Sequence, residues 1–328
     1  MSTSHPYDAL TPDTVLDAVE SAGFMPTGTL LALNSYENRV YQIGEEDLGF
    51  IVGKFYRPGR WSDAQIQEEH DFARQLAELE IPVVAPLADA KGNTLHQFGG
   101  FRFALFPRRG GRSPELDDPD TLYRLGQFIG RIHAVGASRP FLHRPAISLQ
   151  EFGRDALDYL LQQQMLPPHY RGEYQQLAEQ ILAQVAEQLA RVDYPSIRLH
   201  GDMHPGNILW TEHGAHLVDL DDARSGPAIQ DLWMMLGGDA QNMRLQLNEL
   251  LAGYEEFHDF DRRQLALIEA LRALRLLHYS YWLARRWDDP AFPLAFPWFG
   301  TEKYWEEQIL ILREQQLRLN QPTLNLGP

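Results

Sequence analysis

Hydrophobic positions alternate in short runs up to residue 107 and recur at helical spacing beyond it. Ahead of the first run, Thr11-Pro12 precedes Val15, Leu16 and Val19. That is an N-cap, a first-turn proline and an apolar face, with Gly23 as the stop. Strand-like runs follow at 29–33, 39–43 and 50–56, the first two separated by the polar turn Asn34-Ser35-Tyr36-Glu37-Asn38. Ser62-Asp63-Ala64-Gln65 then reads as a capping box opening a helix with Ile66, Phe72, Ala73, Leu76 and Leu79 on one face. Strand signals return at 83–87, 94–98 and 101–106 before Pro107-Arg108-Arg109-Gly110-Gly111-Arg112 breaks the pattern. This connector divides a small mainly β lobe, residues 1–107, from a larger mainly helical one, 108–328.

In the second part Leu122, Leu125, Phe128, Ile129 and Ile132 form an apolar stripe closed by Gly136, with His133 expected as a core or capping histidine rather than a ligand. Further helices are expected at 149–165, 173–192, 241–257, 262–287 and 301–319. Between them, Ile208-Leu209-Trp210 and His216-Leu217-Val218 read as two short strands joined by Glu212-His213-Gly214.

Composition narrows the function classes. With 328 residues, 44% hydrophobic and 23% charged, the chain is long enough for a substantial core and ordinary for a globular protein. A net charge of -16 argues against a nucleic-acid binder, which needs a basic surface. The absence of cysteine excludes disulfides, thiolate metal sites and thiol nucleophiles. The opening Met-Ser-Thr-Ser-His-Pro lacks a signal peptide's basic and apolar regions, and no run reaches the ~18 apolar residues of a membrane span, so a cytoplasmic location is expected.

The chemistry concentrates in His200-Gly201-Asp202-Met203-His204-Pro205-Gly206-Asn207 and in Asp219-Leu220-Asp221-Asp222. The hairpin brings Asn207, at its start, beside Asp219, at its end. Magnesium takes one or two protein oxygens and completes its shell with water and phosphate, which suits that pair. Asp202, upstream in the loop, is placed to orient a hydroxyl and accept its proton. Lys54 is a lone cation in an apolar strand, and burying it unpaired is costly. Helical spacing puts Glu69 within the apolar face of the next helix and Glu68 on its flank, so Glu69 is the expected partner. The 34–38 turn suits either an ordinary surface turn or a cover for nucleotide phosphates through its amides and Ser35, and in the second case the connector near Leu105, Phe106 and Pro107 offers a backbone for the base to rest against.

Lone strand Lys, helix Glu, His-Gly-Asp-x-His-x-Gly-Asn and Asp-x-Asp, in that order, resemble the aminoglycoside phosphotransferase and choline kinase branch of the protein-kinase-like fold. The chain is more specifically similar to the bacterial stress response kinase A family of serine/threonine protein kinases. That likeness is carried by Leu33-Asn34-Ser35-Tyr36-Glu37-Asn38-Arg39-Val40-Tyr41, Lys54-Phe55-Tyr56-Arg57-Pro58, residues 199–209 and 218–233, and Arg285-Arg286-Trp287-Asp288-Asp289-Pro290-Ala291-Phe292-Pro293. It implies an α+β bilobal kinase using ATP and Mg2+ on Ser/Thr hydroxyls of protein substrates, autophosphorylating and active in stress response; a monomer is expected. By the same resemblance Asp202 and Asp219 are catalytic, Asn207 and Asp219 bind metal, and Ser35, Lys54 and Glu69 serve the nucleotide. Asp231 is implied to brace the catalytic loop and is taken as structural. The glycine-rich nucleotide loop, the Asp-Phe-Gly segment and the Ala-Pro-Glu segment of ordinary protein kinases are absent from the sequence. Asp221 and Asp222 are expected to cap the following helix rather than adjust the metal shell.

Other readings stand beside this one. Tyr279, Tyr281, Trp282, Trp287, Trp298, Tyr304 and Trp305 suit either a cage for a cationic amino alcohol, making a small-molecule kinase, or plain packing. His200, Asp202, His204, His216 and Asp219 suit a metal hydrolase, a reading that leaves Lys54 and Glu69 without a role. A nonenzymatic ATP-binding scaffold would have no use for the full set of Asp202, Asn207 and Asp219.

Overall fold

In the computed structural model, which describes residues 7–212 and 214–324, Thr11 Oγ1 accepts the Thr14 amide at 3.2 Å and opens helix α1 (Pro12–Ser21). The N-terminal hexapeptide and His213 of the hairpin turn lie outside the described residues. Strands β1 (Pro26–Ala32), β2 (Arg39–Glu45) and β3 (Gly49–Phe55) precede helix α2 (Asp63–Glu78), and β4 (His96–Phe98) and β5 (Phe101–Pro107) follow it. Together they form one antiparallel sheet in the order β1-β2-β3-β5-β4.

Strand alternation sorts β3 into two faces. Ile51 and Phe55 join Ile43, Phe103 and Leu105 in a core that Val15, Ala18 and Val19 of α1 close. Val52 and Lys54 therefore face the other way. The Ser62/Gln65 capping box is complete, and α2 buries Ile66, Glu69, Phe72, Ala73 and Leu76. Leu79 departs from expectation: it follows the helix end and is exposed. The run at 83–87 is not a strand either. Pro82 and Pro86 remove donors a ladder needs, and Val83 makes only a lone parallel bridge to Leu217.

Helix α3 (Pro119–Gly136) is followed by a wider π-type turn at Gln150–Arg154, α4 (Asp155–Gln162), α5 (Pro168–Arg191) and β6 (Ile197–Leu199). Strands β7 (Ile208–Thr211) and β8 (Gly214–Leu217) form the expected antiparallel hairpin. After β9 (Arg224–Gly226) come α6 (Gln230–Trp233), α7 (Ala240–Tyr254), α8 (Ile268–Arg285), α9 (Ala291–Ala295) and α10 (Glu302–Leu319). The helix expected at 262–287 is divided, its first turn winding as a 3-10 segment, Arg262–Leu267. The described residues up to Thr121 form one compact unit with Phe141–Arg144 and His200–Ala223, and Leu122–Pro140, Pro145–Leu199 and the chain from Arg224 onward form a second.

The core of the second unit is built by α4, α5, α8 and α10, with Leu160, Tyr174, Ile181, Leu274, Leu277 and Trp305 buried at its centre. Its aromatics pack on one another: Trp282 on Phe292 and Phe296, Trp287 on Phe299, and Tyr304 on Trp305. His133 is a core residue, with Nδ1 2.9 Å from the Tyr254 hydroxyl and Nε2 3.1 Å from Asp231 Oδ2. Two glycines one turn apart let α3 cross α7 closely. A Cβ on Gly126 would stand 1.9 Å from the Leu250 carbonyl oxygen, and one on Gly130 2.5 Å from that of Tyr254. Gly126→Ala is therefore expected to destabilise the protein by about 1–3 kcal/mol, since backbone on both helices must shift. Chemical denaturation measures this, and an unchanged midpoint would refute the close crossing.

Candidate active site

The β1–β2 turn has no glycine to shape it, and arginine supplies the rigidity instead. Arg57, just past β3, donates from Nη2 to the Tyr36 carbonyl at 2.9 Å and from Nε to the Glu37 carbonyl at 2.8 Å. Its own amide donates to Asn38 Oδ1 at 3.1 Å. Ser35 and Asn34 on this turn line a cavity of about 440 Å³, within the ~300–1,000 Å³ range of ligand sites. Val40, Val52, Val84, Phe106 and Leu209 form apolar walls, while Lys54, Glu69, Asn207 and Asp219 supply polar groups.

Lys54 stands at the centre of an alternating set of charges. Its Nζ lies 3.0 Å from Asp219 Oδ1, 3.1 Å from Asp221 Oδ1 and 3.9 Å from Glu69 Oε1. Glu69 is thus the most distant of the three carboxylates, and its close partner is the buried Arg144, whose Nη2 is 2.6 Å from Oε2. Arg144 is itself placed by Glu68, which accepts the Leu142, His143 and Arg144 amides at 2.6–2.8 Å. Arg144 Nη1 also donates to the Asp221 carbonyl at 2.6 Å. Arg60 pairs with Asp221, and its Nη2 meets Asp222 Oδ1 at 2.7 Å. The expected helix capping by Asp221 and Asp222 is not found: both are drawn to Arg60, and α6 has no side-chain cap.

Burial alone would depress the Lys54 ammonium, but Asp219, Asp221 and Glu69 outweigh it and hold its pKa well above the ordinary lysine value, so it stays charged. Burial would raise Asp221, yet Arg60 and Lys54 hold its carboxyl down at about 2. Glu69 moves the other way. Its burial outweighs the pull of Lys54 and Arg144 and raises its pKa.

Pairing across the β7–β8 hairpin continues through the Val218 amide, which donates to the Asn207 carbonyl at 3.0 Å, so Asn207 and Asp219 flank one end of it as expected. Asp219 holds φ 62° and ψ 63°, a left-handed conformation that costs energy for a residue with a side chain and recurs at functional sites. Its side chain is 54% exposed. Asn207 Nδ2 donates to the Asp202 carbonyl at 2.9 Å, leaving Oδ1 as the amide's cation-ligating atom. One exposed carboxylate and one amide oxygen fit a hard cation that draws its other ligands from water and phosphate. Asp202 is not part of the cavity wall, and its Oδ2 lies 3.4 Å from His204 Nε2.

The histidines do not assemble a metal site. His200 Nε2 is 2.9 Å from the Val218 carbonyl, which only accepts, so that nitrogen carries the proton. His204 Nδ1 accepts the Gly206 amide, and among the described residues no three His, Cys, Asp or Glu side chains gather around a metal position. Of the connector arginines, Arg109 lines the cavity. Arg112 pairs its backbone with Trp210, and Gly111 passes so close to Leu209 that a Cβ would fall 2.6 Å from the Leu209 carbonyl carbon.

A profile described as the phosphotransferase enzyme family matches residues 29–268. Over 322 residues, 98% of this chain and 97% of the relative, the sequence is 46% identical to serine/threonine protein kinase RdoA of Salmonella typhimurium. Stress response kinase A of Escherichia coli K12 matches at the same identity and coverage. The chain belongs to the phosphotransferase enzyme family, in its stress response kinase A branch. It is a kinase, with the α+β protein-kinase-like fold. Among solved structures it resembles the amicoumacin kinase hAmiN, whose structure holds AMP-PNP, Ca2+ and Ami (TM-score 0.74, 19% identity, 96% of this chain and 94% of that one). It also resembles a microcompartment-associated aminopropanol kinase (TM-score 0.71, 16% identity, 96% and 100%). No helix among the described residues is long and apolar enough to cross a membrane.

Proposed function

We propose that the chain is an ATP- and Mg2+-dependent serine/threonine protein kinase that phosphorylates itself and protein substrates, acts as a cytoplasmic monomer and serves the stress response. The observation that carries this is 46% identity over 98% of the chain to a protein named as a serine/threonine protein kinase. Residues 1–107 act as the nucleotide-binding lobe, and residues 108–328 carry catalysis and substrate binding. The adenine lies among Val40, Val52, Val84, Phe106 and Leu209, against Pro107, and the phosphates run toward Ser35 and Lys54. Asn207 and Asp219 hold the magnesium, which when bound neutralises charge on the phosphates. Lys54 adds a fixed positive charge to the same phosphates, and Glu69 lines the same cavity behind it. Asp202 orients the attacking hydroxyl and takes its proton.

A second reading is kept because the resembling structures include an amicoumacin kinase and an aminopropanol kinase. The two separate on the acceptor. Purified protein is incubated with Mg-ATP and either a serine- and threonine-rich protein or a panel of amino alcohols and aminoglycosides, followed by mass spectrometry. Phosphoserine or phosphothreonine on the protein and on the kinase itself is expected. A phosphorylated amino alcohol beside unmodified protein would establish the second reading instead.

A further inference from the structure

Lys54 has two carboxylates within 3.1 Å, and they are not equivalent. Asp219 is 54% exposed and lines the cavity, where its oxygens are open to a cation that enters. Asp221 is 3% exposed and fixed from several sides: Arg60 pairs with it, Asn38 Nδ2 donates to its Oδ2 at 3.2 Å, and Arg144 holds its backbone carbonyl. Its other oxygen, Oδ1, is buried and has no hydrogen-bond donor aligned with it, although the Lys54 ammonium is 3.1 Å away. The hydrogen bond from Lys54 goes to Asp219 instead. A buried acceptor left in this state is costly, and a small rotation of the ammonium removes the cost. Glu69 offers no comparable site: it is 3.9 Å from Lys54 and already bound to Arg144 at 2.6 Å.

We propose that Asp221, rather than Glu69, is the standing counter-ion of Lys54, and that it positions the lysine for nucleotide phosphates once Asp219 turns to a cation. This rests on the nucleotide-site reading above. Asp221 is then a positioning residue acting through Lys54. Through Asn38 it also ties the nucleotide-covering turn to the Asp219 loop, so that one buried carboxylate sets the lysine and the turn together. Arg60 and Arg144 keep it in place, and Glu69 steadies Arg144.

The test is titration of a fluorescent ATP analogue into the full-length protein, with thermal unfolding of each variant as the folding control. Asp221→Asn, close in shape but uncharged, is expected to weaken binding on the order of tenfold, as loss of one charged hydrogen bond would. Glu69→Gln is expected to lose less. Both are then repeated in a Lys54→Met background, where the Asp221→Asn loss should largely vanish because its route to the nucleotide is gone. Asp221→Ser serves as the second neutral replacement if the asparagine variant does not fold. A Glu69→Gln loss exceeding that of Asp221→Asn, or an Asp221→Asn loss undiminished without Lys54, overturns the proposal while leaving the kinase reading intact. A wild-type protein that binds no nucleotide removes the site reading and this proposal with it.

Discussion

Asp202→Ala is expected to lower kcat by about 10²–10⁴-fold, the usual contribution of a positioned general base, while nucleotide affinity stays nearly unchanged. The geometry separates the two quantities. The Asp202 carbonyl, not its carboxylate, holds the loop: it accepts Asn207 Nδ2 at 2.9 Å and the His204 amide at 3.0 Å. Alanine preserves both bonds, and the lost side chain is not part of the cavity wall. Its Oδ2 lies 3.4 Å from Nε2 of His204, which is partly exposed and tolerates the loss. Parallel measurement of phosphate transfer and of ATP-analogue binding checks this. Full turnover in the variant would remove Asp202 from the chemistry, and loss of both quantities together would make its role structural.

Much of this centre could be read from the sequence because its parts are local. The hairpin from 208 to 218 is short, its strands alternate, and its ends had to meet, so the placement of Asn207 and Asp219 at one end of it followed from spacing alone. Lys54 stood out because a charge in the middle of an apolar strand demands a partner. Glu69 does meet it, at 3.9 Å, but that Asp219 and Asp221 lie closer was not legible. Helical spacing identified Glu69 as inward-facing, and it is buried, but spacing carries no information about Arg144, 75 residues further on, which claims Glu69 first. Arg144 sits in a four-residue segment, Phe141–Arg144, that packs with the first unit although its chain neighbours belong to the second. No hydrophobic period marks such an insertion. Its one available signal was Glu68, an acid beside the buried Glu69, whose carboxylate captures three successive amides of that segment.

The strand expected at 83–87 and the capping expected of Asp221 and Asp222 failed for a related reason. Propensity placed apolar residues in a ladder and acids at a helix start, and tertiary contacts decided otherwise. Val83 and Val84 meet Leu217 of the hairpin, while Arg60 draws off both aspartates. The same substitution of arginine for an expected local device explains the β1–β2 turn. A glycine-rich loop would present its amides through conformational freedom. Here Arg57 fixes the carbonyls of Tyr36 and Glu37 from behind, which is compatible with ordinary side chains on the turn.

Asp219→Ala is the most informative change at the metal position because its effect should reverse sign with conditions. With Mg2+ present, kcat/KM is expected to fall on the order of 10²–10³-fold, comparable to removal of one preorganised electrostatic group. With the cation chelated, the same variant should bind ATP at least as tightly as wild type. The reason is the charge arrangement. The Asp219 carboxylate sits 3.0 Å from Lys54, the lysine proposed to serve the phosphates, where without a cation it would both occupy the ammonium and repel the triphosphate. Alanine removes both effects, and Asp221 still holds Lys54 at 3.1 Å, so the cation-independent part of the site survives. Alanine is also tolerable in fold terms: the αL backbone at φ 62° is no easier for aspartate than for alanine by more than a modest margin. Nucleotide titrations in Mg2+ and in EDTA, on both proteins, decide the matter. Equal weakening in the two conditions would mean that Asp219 holds the loop in shape and not the cation.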